Sequence, residues 1–413
     1  MFKSEYNKNI SKMFTGSLLG AVITFTTLPI LTRIYNHEEF GNFQIIVSVI
    51  ALFASISSFK YEMAIVLPKQ EEDANKIISV SLLILIFTTV ILSVIFMLFG
   101  QQLFNLLNVG NANDFTPLII IGIFITGLYQ ISANLIIRQK KFGQLSSNGI
   151  IRPIISNIGG ITVGLIKPTF FGLYISQILG QIIITIFNFR KSRLNLIKLP
   201  KNNLKNVLNK YKKFAFINSP LEFINTYSLQ LPVLLITFYF GAGTVGIYMV
   251  AERLLNTPLN IIGQSFQKVY YKEASDAYQK NKDELLITYK NTVKKLAIIG
   301  VFPLLTVLLT AQVAVKLVLG DEWIEAGVFM QILMVGYYFR LINAPVSITF
   351  SIIKRQEIGL ILVIVSLCVR WGSMVLFSQS IYSILTALMV SSALFYFIYT
   401  LFIFYFIKRD NNS

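Results

Sequence analysis

Apolar stretches long enough to cross a bilayer follow one another along nearly the whole chain, and this most narrows its possible folds. A spanning helix needs about 20 mostly apolar residues. Twelve such stretches occur, at 13–34, 41–59, 77–99, 115–137, 147–166, 169–189, 214–240, 246–267, 295–318, 326–350, 358–378 and 380–407. With 54% hydrophobic residues in this arrangement, a soluble fold would present an apolar surface to water. Lipid offers no partners for free backbone N–H and C=O groups, so the spanning elements must be helices. The expected fold is an all-α polytopic membrane protein with twelve transmembrane helices. The longer connections, 190–213 and 268–294, are too short to be independent domains.

The net charge is +17, and it is sorted by side. With the amino terminus in the cytoplasm, Lys and Arg gather on the cytoplasmic face, and the opposite face holds only Arg33, Lys167 and Lys316. This is the positive-inside pattern. It places both termini in the cytoplasm and removes the excess charge as a signal for nucleic acid. The polar start, Met1 to Lys12, leads into a full-length span rather than a short signal-peptide core. The single Cys368 lies in a span, so no disulfide framework forms, and a packing role is expected.

The chain reads as two similar halves. Lys12-Met13-Phe14 opens one and Lys213-Phe214-Ala215 the other, followed by Leu28-Pro29-Ile30-Leu31 and Leu231-Pro232-Val233-Leu234. Gly41-Asn42-Phe43 then corresponds to Gly246-Ile247-Tyr248, and Arg138-Gln139-Lys140 to Arg355-Gln356-Glu357. Two six-helix bundles, 1–189 and 214–413, are expected, related by a pseudo-two-fold axis along the membrane normal with a transport path between them. The linker 190–213 is basic and lacks acids, and Leu196, Leu199, Leu204, Val207, Leu208 and Tyr211 recur at near-helical spacing around Pro200. It reads as an amphipathic segment on the inner leaflet, or as a plain tether. The mixed-charge stretch 268–294 reads as a solvated cytoplasmic helix.

Four arginines lie inside the spans: Arg152, Arg253, Arg340 and Arg370. A charge at bilayer depth costs about 2.5–3.5 kcal/mol on insertion scales, so it must snorkel, pair or face a wet cavity. Arg340 is near the middle of its span, too deep to snorkel, whereas Arg152 sits close to a membrane face. The planar guanidinium binds two oxygens at once and stays charged, which suits an anionic, diphosphate-like ligand. Glu222 and Glu252 are the intramembrane acids available to neutralise arginines or to carry a coupling ion. Amides and hydroxyls recur in the spans, among them Thr24, Gln130, Asn157 and Gln181, as helix–helix glue or as a lining suited to sugar. Prolines such as Pro29, Pro153, Pro232 and Pro345 give kinks.

Other chemistry is missing. No GxxxxGK[ST] loop is present, which excludes a P-loop ATPase. The one histidine, His37, falls in a short outer loop, and no Cys/His or His/Asp/Glu group has metal-ligand spacing, so no cofactor is expected. The Asn-rich outer loop 100–114 is too short to hold the catalytic region of a membrane polymerase.

Leu28-Pro29-Ile30-Leu31-Thr32-Arg33-Ile34-Tyr35, Glu39-Phe40-Gly41 and Lys60-Tyr61-Glu62-Met63-Ala64-Ile65-Val66-Leu67-Pro68 together resemble the amino-terminal signature of the bacterial polysaccharide (O-antigen type) flippases, within the multidrug/oligosaccharidyl-lipid/polysaccharide exporter superfamily. Tyr270-Tyr271-Lys272, Gly320-Asp321-Glu322-Trp323 and Ala344-Pro345 extend the resemblance, and Lys60 stands where the family usually has Arg. The resemblance implies a cationic central cavity. It also implies transfer of an undecaprenyl-diphosphate-linked oligosaccharide to the outer leaflet of the cytoplasmic membrane by an ion-coupled mechanism, beside glycosyltransferases and a polymerase. Arg340, Arg253, Arg370 and Arg152 would hold the substrate, and Glu222 or Glu252 the ion. Two alternatives are a drug/cation antiporter of the same superfamily, which would want net negative charge in its lumen, and an envelope-polysaccharide enzyme built on Asp114, Asp321 or Glu322.

Overall fold

The computed structural model describes residues 2–106, 112–192 and 201–411; residues 107–111 of the Asn-rich loop and 193–200 of the basic linker, with Leu196, Leu199 and Pro200, lie outside the described residues. Every described element is helical. In order these are α1 (Phe2–Ile34), α2 (His37–Ala54), α3 (Glu71–Leu106), α4 (Ala112–Arg138), α5 (Phe142–Ile166), α6 (Phe170–Lys191), α7 (Lys201–Lys210), α8 (Ser219–Lys280), α9 (Lys282–Leu319), α10 (Ile324–Val346), α11 (Thr349–Ile352), α12 (Gln356–Leu376) and α13 (Ile381–Asn411).

Ten helical runs among the described residues are long and apolar enough to cross a membrane. The difference from twelve has two causes. α2 opens with His37-Glu38-Glu39 and carries Asn42 and Gln44, so its mean hydropathy falls short. The stretches 214–240 and 246–267 share one run that includes α8. A straight helix of 62 residues would reach about 90 Å, three times the hydrocarbon thickness. Gly241 divides it, with φ 79° and ψ −177°, in a conformation that favours a residue without Cβ. Large apolar side chains stand exposed along the spans, among them Phe87, Met97, Phe302 and Leu309. Water would not tolerate such faces, and lipid does.

The chain forms two compact units, Met1–Gly246 and Ile247–Ser413. In the first, α1 lies along α5, α5 against α6, and α4 between α2, α3 and α6. Near the start of α2, a Cβ at Gly41 would overlap the carbonyl of Ala242, and one at Gly246 would overlap the carbonyl of His37. Each glycine stands four residues after the carbonyl that the other meets, so the contact is reciprocal between the two sequence-matched glycines. His37 itself begins α2 rather than lying in the preceding loop.

The basic segment also differs from expectation. Leu204, Val207, Leu208 and Tyr211 pack against Ala64, Ile65, Ile77 and Ile78, and the Tyr61 hydroxyl donates to the Leu208 carbonyl at 3.0 Å. The apolar face of α7 is therefore covered by protein rather than offered to lipid.

In the second unit, α10 is held between α9 and α13, with α12 on α13. The end of α8 and the start of α9 are not simply solvated. Tyr270, Ala274, Ala277, Leu285 and Tyr289 form a core with Val346, Phe350, Tyr399 and Ile403. The Tyr270 and Thr349 hydroxyls are 2.6 Å apart, and the Tyr289 hydroxyl donates to the Thr400 carbonyl at 2.7 Å. Cys368, expected to pack inside, is exposed on α12 beside exposed Val365 and Val369.

One turn recurs in both units. Lys140 and Lys354 each adopt a left-handed conformation, at φ 54° and 58°. After each, a backbone N–H reaches back five residues, from Lys141 to the Ile136 carbonyl and from Arg355 to that of Phe350. The turn matches Lys140 with Lys354, where the sequence alone suggested Arg138 with Arg355.

Candidate functional site

Three of the four arginines that the sequence marks within apolar stretches fall in the second unit, and Arg340 has the most developed surroundings. Its guanidinium lies over the Tyr337 ring, 5.5 Å from the centroid. The two residues sit one turn apart on α10, so the spacing that brings them together is local. Tyr337 in turn donates its hydroxyl to Glu252 Oε1 on α8 at 3.2 Å. Glu252 Oε1 also accepts from Asn256 Nδ2 at 2.8 Å. Arg340 lies within electrostatic range of Tyr396, Tyr337, Glu252 and Tyr248. It lines a cavity of about 150 Å³ with Asn256, Asn260, Gln264 and Gln267 of α8 and Leu341 and Ala344 of α10.

Arg370 on α12 donates from both Nε and Nη2 to the Ser366 hydroxyl, at 3.0 and 2.8 Å, and its guanidinium lies 5.4 Å from the Phe395 ring centroid. Tyr248 is an electrostatic neighbour of both Arg340 and Arg370. Arg253 is half-buried beside Glu252 in sequence and has Glu252 as its charged neighbour. Arg152 belongs to the first unit, where it lies over the Tyr129 ring at 5.1 Å. Among the described residues, no carboxylate comes within the 4 Å of an ion pair to any of the four. Aromatic faces hold Arg152, Arg340 and Arg370, with the Ser366 hydroxyl also on Arg370, and leave their charge uncancelled by a direct pair.

Glu222 has a different neighbour from any arginine. Lys60 Nζ stands 3.5 Å from Glu222 Oε1 and 3.9 Å from Glu62 Oε1. Lys60 is buried in the left-handed region at φ 58°, and Phe59 before it has φ 47°. Glu62 is 2% exposed and accepts a hydrogen bond from the Ser58 hydroxyl. Burial pushes its carboxyl above the usual glutamate range, the Ser58 hydrogen bond and Lys60 pull it back, and Glu222 raises it further. Glu62 stood in the sequence signature, but nothing in one sequence marks it as buried.

The sequence reading noted Asn225 and Gln230 of α8 but passed over the amides further along it. Asn256, Asn260 and Gln264 recur every fourth residue inside an apolar stretch, a spacing that places them on one helix face. The outer-loop acid Asp321 pairs at the surface with Lys316 at 3.0 Å.

Comparisons with known proteins narrow what this arrangement serves. A family model described as "Polysaccharide biosynthesis protein" matches residues 30–328. The capsular polysaccharide biosynthesis protein CapF of Staphylococcus aureus is 23% identical, covering 97% of this chain and 99% of its own length. The succinoglycan biosynthesis transport protein ExoT of Rhizobium meliloti is 22% identical over 74% of this chain, which spans 60% of that protein. Among solved structures, the lipid II flippase MurJ in its inward closed conformation matches with a TM-score of 0.74 at 16% identity, covering 97% of this chain and 87% of that one. An inward-facing multidrug resistance MATE family transporter matches with a TM-score of 0.70 at 14% identity, covering 97% and 96%. At these identities the structural likenesses speak for the fold alone.

Proposed function

Since this multi-pass membrane protein belongs to the polysaccharide biosynthesis protein family, we propose that it is a flippase for a lipid-linked oligosaccharide. In this reading the cargo is an undecaprenyl-diphosphate-linked oligosaccharide, moved from the cytoplasmic to the outer leaflet of the cytoplasmic membrane for surface polysaccharide synthesis. The protein works without catalysing a covalent step, and it would hand its cargo between glycosyltransferases and a polymerase. Twelve crossings form two six-helix bundles joined at 190–213, with both termini cytoplasmic.

The observation that carries the reading is Arg340. A guanidinium with no carboxylate in ion-pair range among the described residues opens on a cavity walled by amides. Such a group attracts a diphosphate and can grip two of its oxygens. Arg370, Arg253 and Arg152 add positive charge along the path, and the lipid tail stays in the bilayer. Rocking of the bundles exposes the site to one side and then the other, and an ion gradient resets it through Glu252 or Glu222.

A drug antiporter is the second reading. The likeness to a MATE fold and the carboxylate of Glu252 favour it. Reconstitution in liposomes separates the two, with transbilayer movement of an undecaprenyl-diphosphate oligosaccharide followed with and without a pH gradient. Protein-dependent movement supports the flippase. No movement of that lipid, with efflux of a cationic dye instead, would replace it with the antiporter.

A further inference from the structure

A hydrogen-bonded ladder of carboxamides descends one face of α8 from Glu252. Asn256 Nδ2 donates to Glu252 Oε1, and Asn260 Nδ2 donates to Asn256 Oδ1, both at 2.8 Å. Gln264 continues the four-residue step and Gln267 follows one turn on, and all four amides line the cavity that Arg340 enters from α10. Steps of four on a helix of 3.6 residues per turn drift by about 40° each, so the amides remain on one wall. Asn260 and Gln264 are exposed to that space. Each amide presents both a donor and an acceptor, and the bonds running from Glu252 fix which end of Asn256 and of Asn260 points where. The rest of the wall is the Tyr337 ring and the apolar Leu259, Leu341 and Ala344.

This composition selects among ligands. A diphosphate uses the guanidinium and has no use for a row of amide acceptors. An acyl chain would leave the amides without partners, which is costly. A cationic drug meets Arg340. Hydroxyls on a ring donate and accept at fixed intervals, as the amides do, while the ring's apolar edge suits Tyr337 and Leu341. We infer that Asn256, Asn260, Gln264 and Gln267, beside Arg340, form a carbohydrate subsite for the sugar linked directly to the diphosphate. The inference rests on the flippase reading and assigns the sugar and the phosphates to different walls of one cavity.

Gly263 offers a steric test. It lines the cavity, and a Cβ built there meets nothing within 4 Å. A side chain at Gly263 therefore starts into open space, and Gly263→Leu also puts a better helix former in the helix. The experiment is a binding titration of the full chain in nanodiscs against two probes, undecaprenyl diphosphate bearing one sugar and undecaprenyl diphosphate without sugar.

The wild type should bind the sugar-bearing probe about tenfold more tightly, as two good hydrogen bonds would give. The double variant Asn260→Ala/Gln264→Ala should erase that preference, and Gly263→Leu, which narrows the shared cavity, should weaken the sugar-bearing probe more than the sugar-free one. Arg340→Ala should weaken both probes. A wild type that binds both lipids equally, or amide variants that keep the preference, would overturn the subsite and leave the flippase reading standing. A wild type that binds neither lipid overturns both.

Discussion

Arg138 and Arg340 are both arginines near the ends or middles of apolar helices, and the structure treats them in opposite ways. Arg138 Nη1 donates to the carbonyls of Ile65 and Pro68 at 3.0 and 2.7 Å, and Nη2 to the Gln70 carbonyl and Glu71 Oε1 at 3.2 and 3.3 Å. The turn between α2 and α3 wraps this guanidinium and leaves its side chain 7% exposed. Arg340 has an aromatic face on one side and a cavity on the other. The same contrast separates two glutamates. Glu62 is closed in with Ser58 and Lys60, whereas Glu252 is half-buried behind Asn256 and Tyr337, which themselves line the cavity. Arg138 commits both terminal nitrogens to its own chain, in four hydrogen bonds, and builds the fold, although its buried Nε has no partner among the described residues; the guanidinium of Arg340 faces a cavity and can serve a ligand.

The contrast is broken most severely at Arg340. Truncating a hydrogen-bonded charge partner in a desolvated site costs about 2 kcal/mol or more, roughly thirtyfold. Arg340→Ala should therefore lower the rate of lipid flipping in proteoliposomes at least that much, with an unchanged melting temperature. Arg340→Lys should recover little, because a point charge lacks the two-pronged grip. Equal flipping by wild type and Arg340→Ala would place Arg340 with Arg138 as a structural residue.

Arg138→Ala should do the reverse. It strips the donors from three carbonyls and one carboxylate, and stability should fall by about 2–3 kcal/mol. Detergent-solubilised protein would melt earlier, and flipping per folded molecule would stay near that of the wild type.

Glu62 sharpens the comparison through pH. Its carboxyl is raised by burial, so the folded state favours the protonated form. That stabilisation is fully present below the ordinary glutamate value of about 4.3 and is lost as pH rises through the raised value. Glu62→Gln keeps the neutral shape and should flatten this dependence, raising the melting temperature relative to wild type at neutral pH by a few degrees. Identical pH profiles for the two proteins would show that Lys60 fully compensates the carboxylate.

The smallest effect is expected at the recurring turn. Lys140 holds φ 54° with an exposed side chain, so Lys140→Gly should relieve about 1 kcal/mol of left-handed strain. A slight rise in melting temperature with unaltered flipping is the expected reading, and Lys354→Gly should match it if the two turns carry equal strain.

The sequence itself made the membrane-spanning, all-helical character legible, because hydropathy over about 20 residues is a local property set by the bilayer. It also marked Arg340, by its place in an apolar stretch, and the matched glycines Gly41 and Gly246, by their place in a repeat. The number of separate helical runs was less accessible, because Gly241 divides α8 without ending its apolar pattern. What an ionisable residue faces was decided only by tertiary packing. Lys60 and Glu222 lie far apart in sequence, and only the packing of the turn after α2 beside the start of α8 makes them an ion pair. Arg340 and the amides of α8 come from different helices, so neither shows alone that they enclose one cavity. Periodicity assigns a side chain to a face of its own helix. Whether that face meets lipid, a neighbouring helix or an empty space depends on the other helices, and no local pattern records them.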